Sequence, residues 1–189
     1  MSSVRYYAIS KCSFTRNIDL DFHLYIMRHA ESDSPSSDTS DFDRPINNRG
    51  QKDTELIGRW MTMNKYFPDK IISSPARRAR QTTELINEKL NFSKMQIEFD
   101  KSLYLASFDT LMECFHIYKN NLCSLMIVAH NPGLQHLINY LLYKSVNQTS
   151  TSRTFTTSSL AIFEYENRSF DLEADKYTIK EFIQTRELD

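Results

Sequence analysis

The sequence predicts an α/β domain of three layers, with a central, mostly parallel sheet of about five or six strands and helices on both faces. Three observations carry this. Short apolar runs such as Leu125 to Ala129 have the texture of strands covered on both sides. Between them lie stretches with apolar residues at helical spacing. The alternation continues over most of the chain without an internal repeat, the pattern of strands joined by helical crossovers.

Taken in order, Phe22 to Met27 reads as a buried strand ending at Arg28-His29. Glu31 to Asp43 has five acids and no aliphatic residue, so it is a loop that cannot bury itself. Asn47-Asn48 is a helix cap ahead of a core-facing stripe of Leu56, Ile57, Trp60 and Met61. Pro68 breaks the chain before a short strand, Lys70 to Ser73. Pro75 then opens a helix with Ala79, Thr83, Ile86 and Leu90 on one face. Glu98 belongs to a further apparent strand. Leu111, Phe115 and Tyr118 predict a helix near Phe108 to Tyr118, and Leu122 to Ala129 predicts a central strand. Leu134, Leu137, Ile138, Leu141 and Leu142 make the clearest amphipathic helix. Leu160 to Phe163 is another strand, and Tyr177, Ile179 and Phe182 or Ile183 supply a last covering element. The expected organisation is a single domain over residues 1–189, with a core over 20–165 and an N-terminal extension, 1–19, of unassigned role.

At 189 residues the chain is long enough for one well-buried core. With 40% hydrophobic and 25% charged residues it is not a disordered chain. Its three glycines, Gly50, Gly58 and Gly133, are too few for a glycine-rich dinucleotide or P-loop phosphate cradle. A formal net charge of −1 argues against a generic basic nucleic-acid footprint. Cys12, Cys114 and Cys123 are odd in number and lack a C-x-x-C pair, so they are expected as buried neutral thiols, with neither a disulfide framework nor a thiolate metal site. No apolar run reaches membrane-spanning length and no secretory h-region is present, which makes cytoplasm the expected location.

In open α/β sheets ligands collect beyond the carboxyl ends of the strands. Three such ends carry reactive or charged groups: Arg28-His29, then Ser73-Ser74-Pro75-Ala76-Arg77-Arg78, then His130. Two histidines with no cysteine or close third histidine fit a nucleophile and its electrostatic neighbour better than a zinc site. Arginine offers a planar donor fork with permanent charge, so several around a histidine form a cage for a phosphoryl group. The expected ligand is an anion, with no metal and no cofactor.

Four ordered motifs resemble the histidine phosphatase superfamily, which includes the phosphoglycerate mutases. Leu24 to Glu31 resembles its R-H-G/A signature. Ile46-Asn47-Asn48-Arg49-Gly50 resembles its L-T-x-x-G element, with Asn for the usual Thr. Ser74 to Thr82 matches S-x-x-x-R-A-x-x-T, and His130-Asn131-Pro132 matches the second histidine. The resemblance spans about Phe22 to Phe163. It implies His29 as nucleophile, forming a phosphohistidine intermediate, with Arg28, Arg78 and His130 around the phosphoryl oxygens. Arg77 and Arg80 are expected to face solvent or a docking partner. The short chain is similar to bacterial phosphohistidine phosphatases of the SixA type, and Asp41-Phe42-Asp43-Arg44-Pro45 resembles their D-x-x-R-P element. That similarity implies Asp41 and Arg44 as pocket residues: Arg44 as a further positive arm, Asp41 on the leaving-group side. Ester-cleaving members carry a glutamate in the stretch written here as Phe99 to Ser107, where no Glu stands. Asp100 and Asp109 are the remaining acids nearby. A P–N substrate, whose nitrogen can leave already protonated, needs less acid help than an alkoxide. The implied activity is hydrolysis of phosphohistidine in a protein. A small-molecule phosphomonoesterase acting on a sugar or nucleotide monophosphate, or a non-catalytic phospho-group binding module, are the alternatives. Implied partners are a phosphorylated protein or a small phosphorylated metabolite, with no nucleic acid and no membrane.

Overall fold

The computed structural model of the chain describes residues 21–91, 96–118, 122–145, 153–165 and 177–188. The expected extension over 1–19, including Cys12, lies outside the described residues. Six strands form one sheet: β1 (Phe22–Arg28), β2 (Lys70–Ser73), β3 (Ile97–Phe99), β4 (Ser124–Ala129), β5 (Leu160–Tyr165) and β6 (Tyr177–Ile183). Their spatial order is β3-β2-β4-β1-β5-β6. β3, β2, β4 and β1 pair in parallel, while β5 runs antiparallel to both β1 and β6. Among the described residues there are four α-helices: α1 (Asn48–Met63), α2 (Arg77–Leu90), α3 (Phe108–Tyr118) and α4 (Gly133–Lys144).

The alternation of strand side chains divides the core into two layers. Leu24, Ile26, Ile72, Leu125, Ile127 and Phe163 pack with α3 and α4 residues such as Leu111, Phe115, Leu134 and Ile138. Tyr25, Met27, Ile71, Met126, Val128 and Ile162 pack on the other face with Ile57 and Met61 of α1 and with Ala79, Ile86 and Leu90 of α2. Every residue of β4 is buried, because helices cover it on both sides.

Four expectations need correction. The segment Tyr177–Ile183 is a sheet strand paired with β5, not a covering element. The buried stripe of α1 is Gly50, Thr54, Ile57, Gly58 and Met61. Leu56 and Trp60 are only partly buried, since each stands about 100° around the helix from the buried residue that follows it; Trp60 packs against the edge of the core, stacked on Tyr66 at 5.3 Å. Cys123 is also only partly buried, at the approach to β4, whereas Cys114 lies in the core with its thiol pushed up to about 12, chiefly by burial. Arg77 is exposed as expected, but Arg80 lays its guanidinium over the Phe99 ring at 3.9 Å.

Two glycines are needed for space at the end of the sheet that carries the histidines. Asn47 caps α1 through the Gly50 amide at 2.8 Å, and a Cβ on Gly50 would stand 2.2 Å from the Glu31 carbonyl oxygen. That contact closes the loop after β1 onto α1. Gly133 opens α4, and a Cβ there would stand 2.0 Å from the Ala106 carbonyl oxygen. Both obstacles are backbone, so neither yields cheaply. Gly133→Ala is therefore expected to destabilise the protein by about 1–3 kcal/mol, the usual range for overpacking. Urea unfolding of the two proteins measures it, and an unchanged midpoint would rule out the close packing of α4 on Ala106.

Candidate active site

β1 delivers Arg28 and His29 to the carboxyl end of the sheet, and the strand tip is tied on all sides. The Arg28 amide donates to Ser159 O at 3.1 Å, and His29 N to Ala129 O at 3.1 Å. Ser158 N donates to His29 O at 3.2 Å, and Ala30 N to Thr82 Oγ1 at 2.9 Å. The His29 ring is fixed as well. Its Nδ1 lies 2.8 Å from the Ala30 carbonyl, which can only accept, so Nδ1 carries the proton. Nε2 is then a lone pair, and Arg78 Nε donates to it at 3.3 Å.

Arg78 sits in the first turn of α2 and is 2% exposed. Both of its terminal nitrogens donate to Asp41, Nη1 to the carbonyl and Nη2 to Oδ2 at 2.9 Å. Arg44 grips Asp41 Oδ1 through Nη2 at 2.5 Å and Nε at 3.1 Å, and donates Nη1 to Asp33 O at 3.0 Å. The Tyr104 hydroxyl donates to Asp41 Oδ2 at 2.8 Å. Partial burial pushes the Asp41 carboxyl up, but the hydrogen bonds from Tyr104, Arg44 and Arg78 outweigh it and hold the group below the usual carboxylate range. Asp41 is thus an ionised acceptor with every lone pair in use.

His130 follows β4 and is 1% exposed. Its ring lies 4.8 Å from the His29 ring between centroids, and Nε2 is 2.8 Å from Ser74 Oγ. Arg28 donates Nη1 to Phe155 O at 2.9 Å. Among the described residues, Arg28 Nε and His130 Nδ1 are buried without a hydrogen-bond partner. Burial drives both imidazoles down to about 3, and for His29 the neighbouring His130, Arg78 and Arg28 add to it. For His130, Arg78 and Arg28 act in the same direction and Asp41 opposes them. Both rings are neutral at physiological pH.

The structure thus brings His29, Arg28, Arg78, His130 and Asp41 to one place. Arg44 reaches it through Asp41, with its guanidinium committed to Asp41 and Asp33. Tyr104, Ser74 and Thr82 join the site as well. Ser74 and Thr82 stand within a motif read from the sequence, but nothing in the local sequence distinguishes Tyr104 from other surface tyrosines. The acids weighed as proton donors are employed elsewhere. Asp100 accepts from Ser102 N at 2.8 Å, capping a 3-10 turn, Asp109 lies in the first turn of α3, and Glu98 pairs with Lys70 at 2.7 Å. No three His, Cys, Asp or Glu side chains among the described residues gather as metal ligands. None of the described helices is long and apolar enough to cross a membrane.

The buried neutral histidines make stability acid-sensitive. The unfolded chain protonates both rings near pH 6.5, whereas the folded rings stay neutral until about 3. Between these values the unfolded state binds more protons, so stability falls as pH falls, by about 1.4 kcal/mol per pH unit for each ring. Asp41, depressed in the folded state, loses its contribution in the same direction at lower pH. Denaturant midpoints should be nearly flat from pH 8 to 7 and decline steeply toward pH 5; constant stability down to pH 5 would contradict neutral burial.

The histidine phosphatase superfamily (branch 1) family model matches residues 24–113. A protein of Mycobacterium tuberculosis without an assigned activity is 29% identical over 153 residues, covering 78% of this chain and 92% of that protein. Phosphohistidine phosphatase SixA of Escherichia coli is 25% identical over 139 residues, covering 73% and 82%. A crystal structure of a chain from Agrobacterium tumefaciens assigned to SixA superposes with a TM-score of 0.73 at 25% identity, covering 86% of this chain and 97% of that one. Sequence motifs, fold and these likenesses agree: the chain resembles the histidine phosphatase superfamily over residues 24–113, and its six-stranded α/β fold is like that of the SixA-assigned structure.

Proposed function

We propose that the protein is a phosphatase that works through a covalent phosphohistidine on His29 and takes its phosphoryl group from phosphohistidine in a protein. The observation that carries this reading is an oriented nucleophilic lone pair, held by a single long hydrogen bond from Arg78 Nε at 3.3 Å, in the company of unsatisfied donors. His29 Nε2 is unprotonated and oriented, while Nε of the adjoining residue Arg28 and Nδ1 of His130, whose ring lies 4.8 Å away between centroids, are buried and unpartnered. A phosphoryl group supplies the acceptors both lack. For His130 Nδ1 to donate, the ring must carry its proton there, and the Ser74 hydroxyl then donates to Nε2.

The reaction follows from these roles. The His29 Nε2 pair attacks phosphorus, Arg28 and Arg78 neutralise charge on the equatorial oxygens, and the neutral His130 ring donates a hydrogen bond to one of them. Arg78 shifts its Nε–H from the nucleophile to a phosphoryl oxygen as attack begins. The bond from phosphorus to the leaving nitrogen breaks, and its electron pair returns to that nitrogen. A phosphoimidazole protonated on its other ring nitrogen therefore departs as neutral imidazole. Water then attacks phosphorus, the pair returns to His29 Nε2, and inorganic phosphate leaves with the water's proton distributed to phosphate and solvent. Asp41 is too firmly ionised to protonate an alkoxide, which favours the P–N substrate. Its carboxylate accepts the N–H of the leaving ring in place of the Tyr104 hydroxyl on Oδ2, and Arg44 acts as a positioning residue that holds it there. Residues 1–189 act as a single domain built on the 20–165 core, with cytoplasm as the location and a phosphorylated protein as the partner.

Quenching the reaction of the protein with labelled phosphohistidine peptide in denaturant at alkaline pH, which preserves the acid-labile P–N bond, should trap label on the wild type and none on His29→Ala, which should not turn over. His130→Ala should lose about 10²–10³ in kcat, as deletion of an oxyanion donor does. Tight peptide binding without phosphoenzyme or released phosphate would make the protein a binding module, and faster turnover of a sugar or nucleotide monophosphate would make it a phosphomonoesterase. Arg44→Ala should weaken turnover of every phosphorylated substrate. Asp41→Asn should depress turnover of a phosphohistidine peptide more than that of an aryl phosphate. Near-wild-type rates for both variants on both substrates would reduce Asp41 and Arg44 to loop charges.

A further inference from the structure

We infer that Tyr104, with Phe42 beside it, forms an aromatic wall that selects flat, ring-bearing leaving groups. The inference rests on the phosphatase reading and adds a specificity determinant to it. The cage of Arg28, His29, Arg78 and His130 treats all phosphoryl groups alike; discrimination must come from what surrounds the rest of the substrate. Tyr104 meets His130 edge-to-face at 5.5 Å between ring centroids, and Phe42 edge-to-face at 5.1 Å. It is partly exposed and Phe42 is 37% exposed, so apolar ring surface borders a site otherwise lined by charge.

Both rings are held by backbone contacts. The Phe42 carbonyl accepts from Arg77 N at 2.9 Å, which docks the loop on the first turn of α2. Tyr104 N donates to Lys101 O at 3.2 Å, and Leu105 follows in the left-handed region with φ 50°. A leucine there is strained, a cost held in place by Ala106, whose carbonyl abuts Gly133. The strained turn leaves the Tyr104 ring against His130 and its hydroxyl on Asp41.

The chemistry that fits this corner is a planar group carrying positive charge. In-line attack by His29 sends the leaving group away from the nucleophile, and we place it on the side that Tyr104 borders through its contacts with His130 and Asp41. A protonated phosphoimidazole offers a flat face for stacking, a delocalised charge for cation–π attraction, and an N–H for Asp41. The Tyr104 hydroxyl can yield its place on Asp41 Oδ2 to that N–H, keeping the carboxylate paired. An alkyl phosphate gains none of these contacts.

The test compares ring-bearing with ringless ligands in the wild type, Tyr104→Phe and Tyr104→Leu. Turnover is read as the ratio of kcat/KM for 1-phosphoimidazole to that for the phosphoramidate ion. Binding is read by calorimetry as the Kd ratio of methylphosphonate to phenylphosphonate, which needs no turnover. Tyr104→Leu should reduce both ratios about tenfold, while Tyr104→Phe, which keeps the ring, should stay within about twofold of wild type. Phe42→Leu should act in the same direction and by less. Equal losses on both members of each pair would show a merely structural role and overturn the inference, as would a Tyr104→Phe ratio that falls as far as that of Tyr104→Leu. A wild type that turns over neither phosphoramidate rejects the phosphatase reading, and the phosphonate ratio still decides whether the wall exists.

Discussion

The arrangement at the carboxyl end of the sheet depends on keeping one buried guanidinium satisfied. Arg78 is almost wholly out of solvent, and a buried cation is tolerated only when its donors find acceptors. Asp41 supplies two of them, a carbonyl and a carboxylate, and the third is the His29 lone pair. The polar loop after β1 has no aliphatic residue to bury, yet it is fixed because Arg78 needs it. Arg44 and Tyr104 then gather on the same carboxylate, so a single aspartate organises groups from three separate parts of the chain.

The same burial sets the state of the histidines. Two imidazoles, enclosed next to two guanidiniums, remain neutral because a further positive charge would meet both desolvation and repulsion. Neutrality is what a nitrogen nucleophile requires. Burial and its neighbour Arg78 also push the Arg28 guanidinium down from its ordinary value, so the site carries an excess of positive charge that an arriving dianion relieves. The excess of positive charge and the unprotonated Nε2 of His29 thus have one common cause, the enclosure of like charges at a strand terminus.

Positioning falls to the regular elements and to close backbone packing. Thr82 receives the Ala30 amide and donates to the Arg78 carbonyl at 2.7 Å, which couples the tip of β1 to α2. Gly50 and Gly133 let backbone segments approach where a methyl group would collide. The first brings the loop after β1 onto α1, and the second brings the Tyr104 segment onto α4. The charged cage and its aromatic border therefore rest on different packing contacts.

By itself the sequence determined the strands and helices whose burial is one- or two-faced, because apolar periodicity registers that geometry directly: Lys70–Ser73 and Phe108–Tyr118 have the same bounds in both readings. It also determined which strand ends carry Arg28, His29, Arg78 and His130, since parallel strands ending in polar groups must present them on one side. The exact core stripe of α1 eluded it, as Trp60 packs only at the edge of the core, stacked on Tyr66, while Ile57 and Met61 are fully buried. Only the tertiary structure decided the direction in which each donor points. Arg44 turns toward Asp41 and the Asp33 carbonyl, Arg80 lies over Phe99, and Tyr104 reaches Asp41 from 63 residues away. These choices depend on which acceptors lie within about 3 Å of a given donor, and no local spacing records a partner brought there by the fold of the chain.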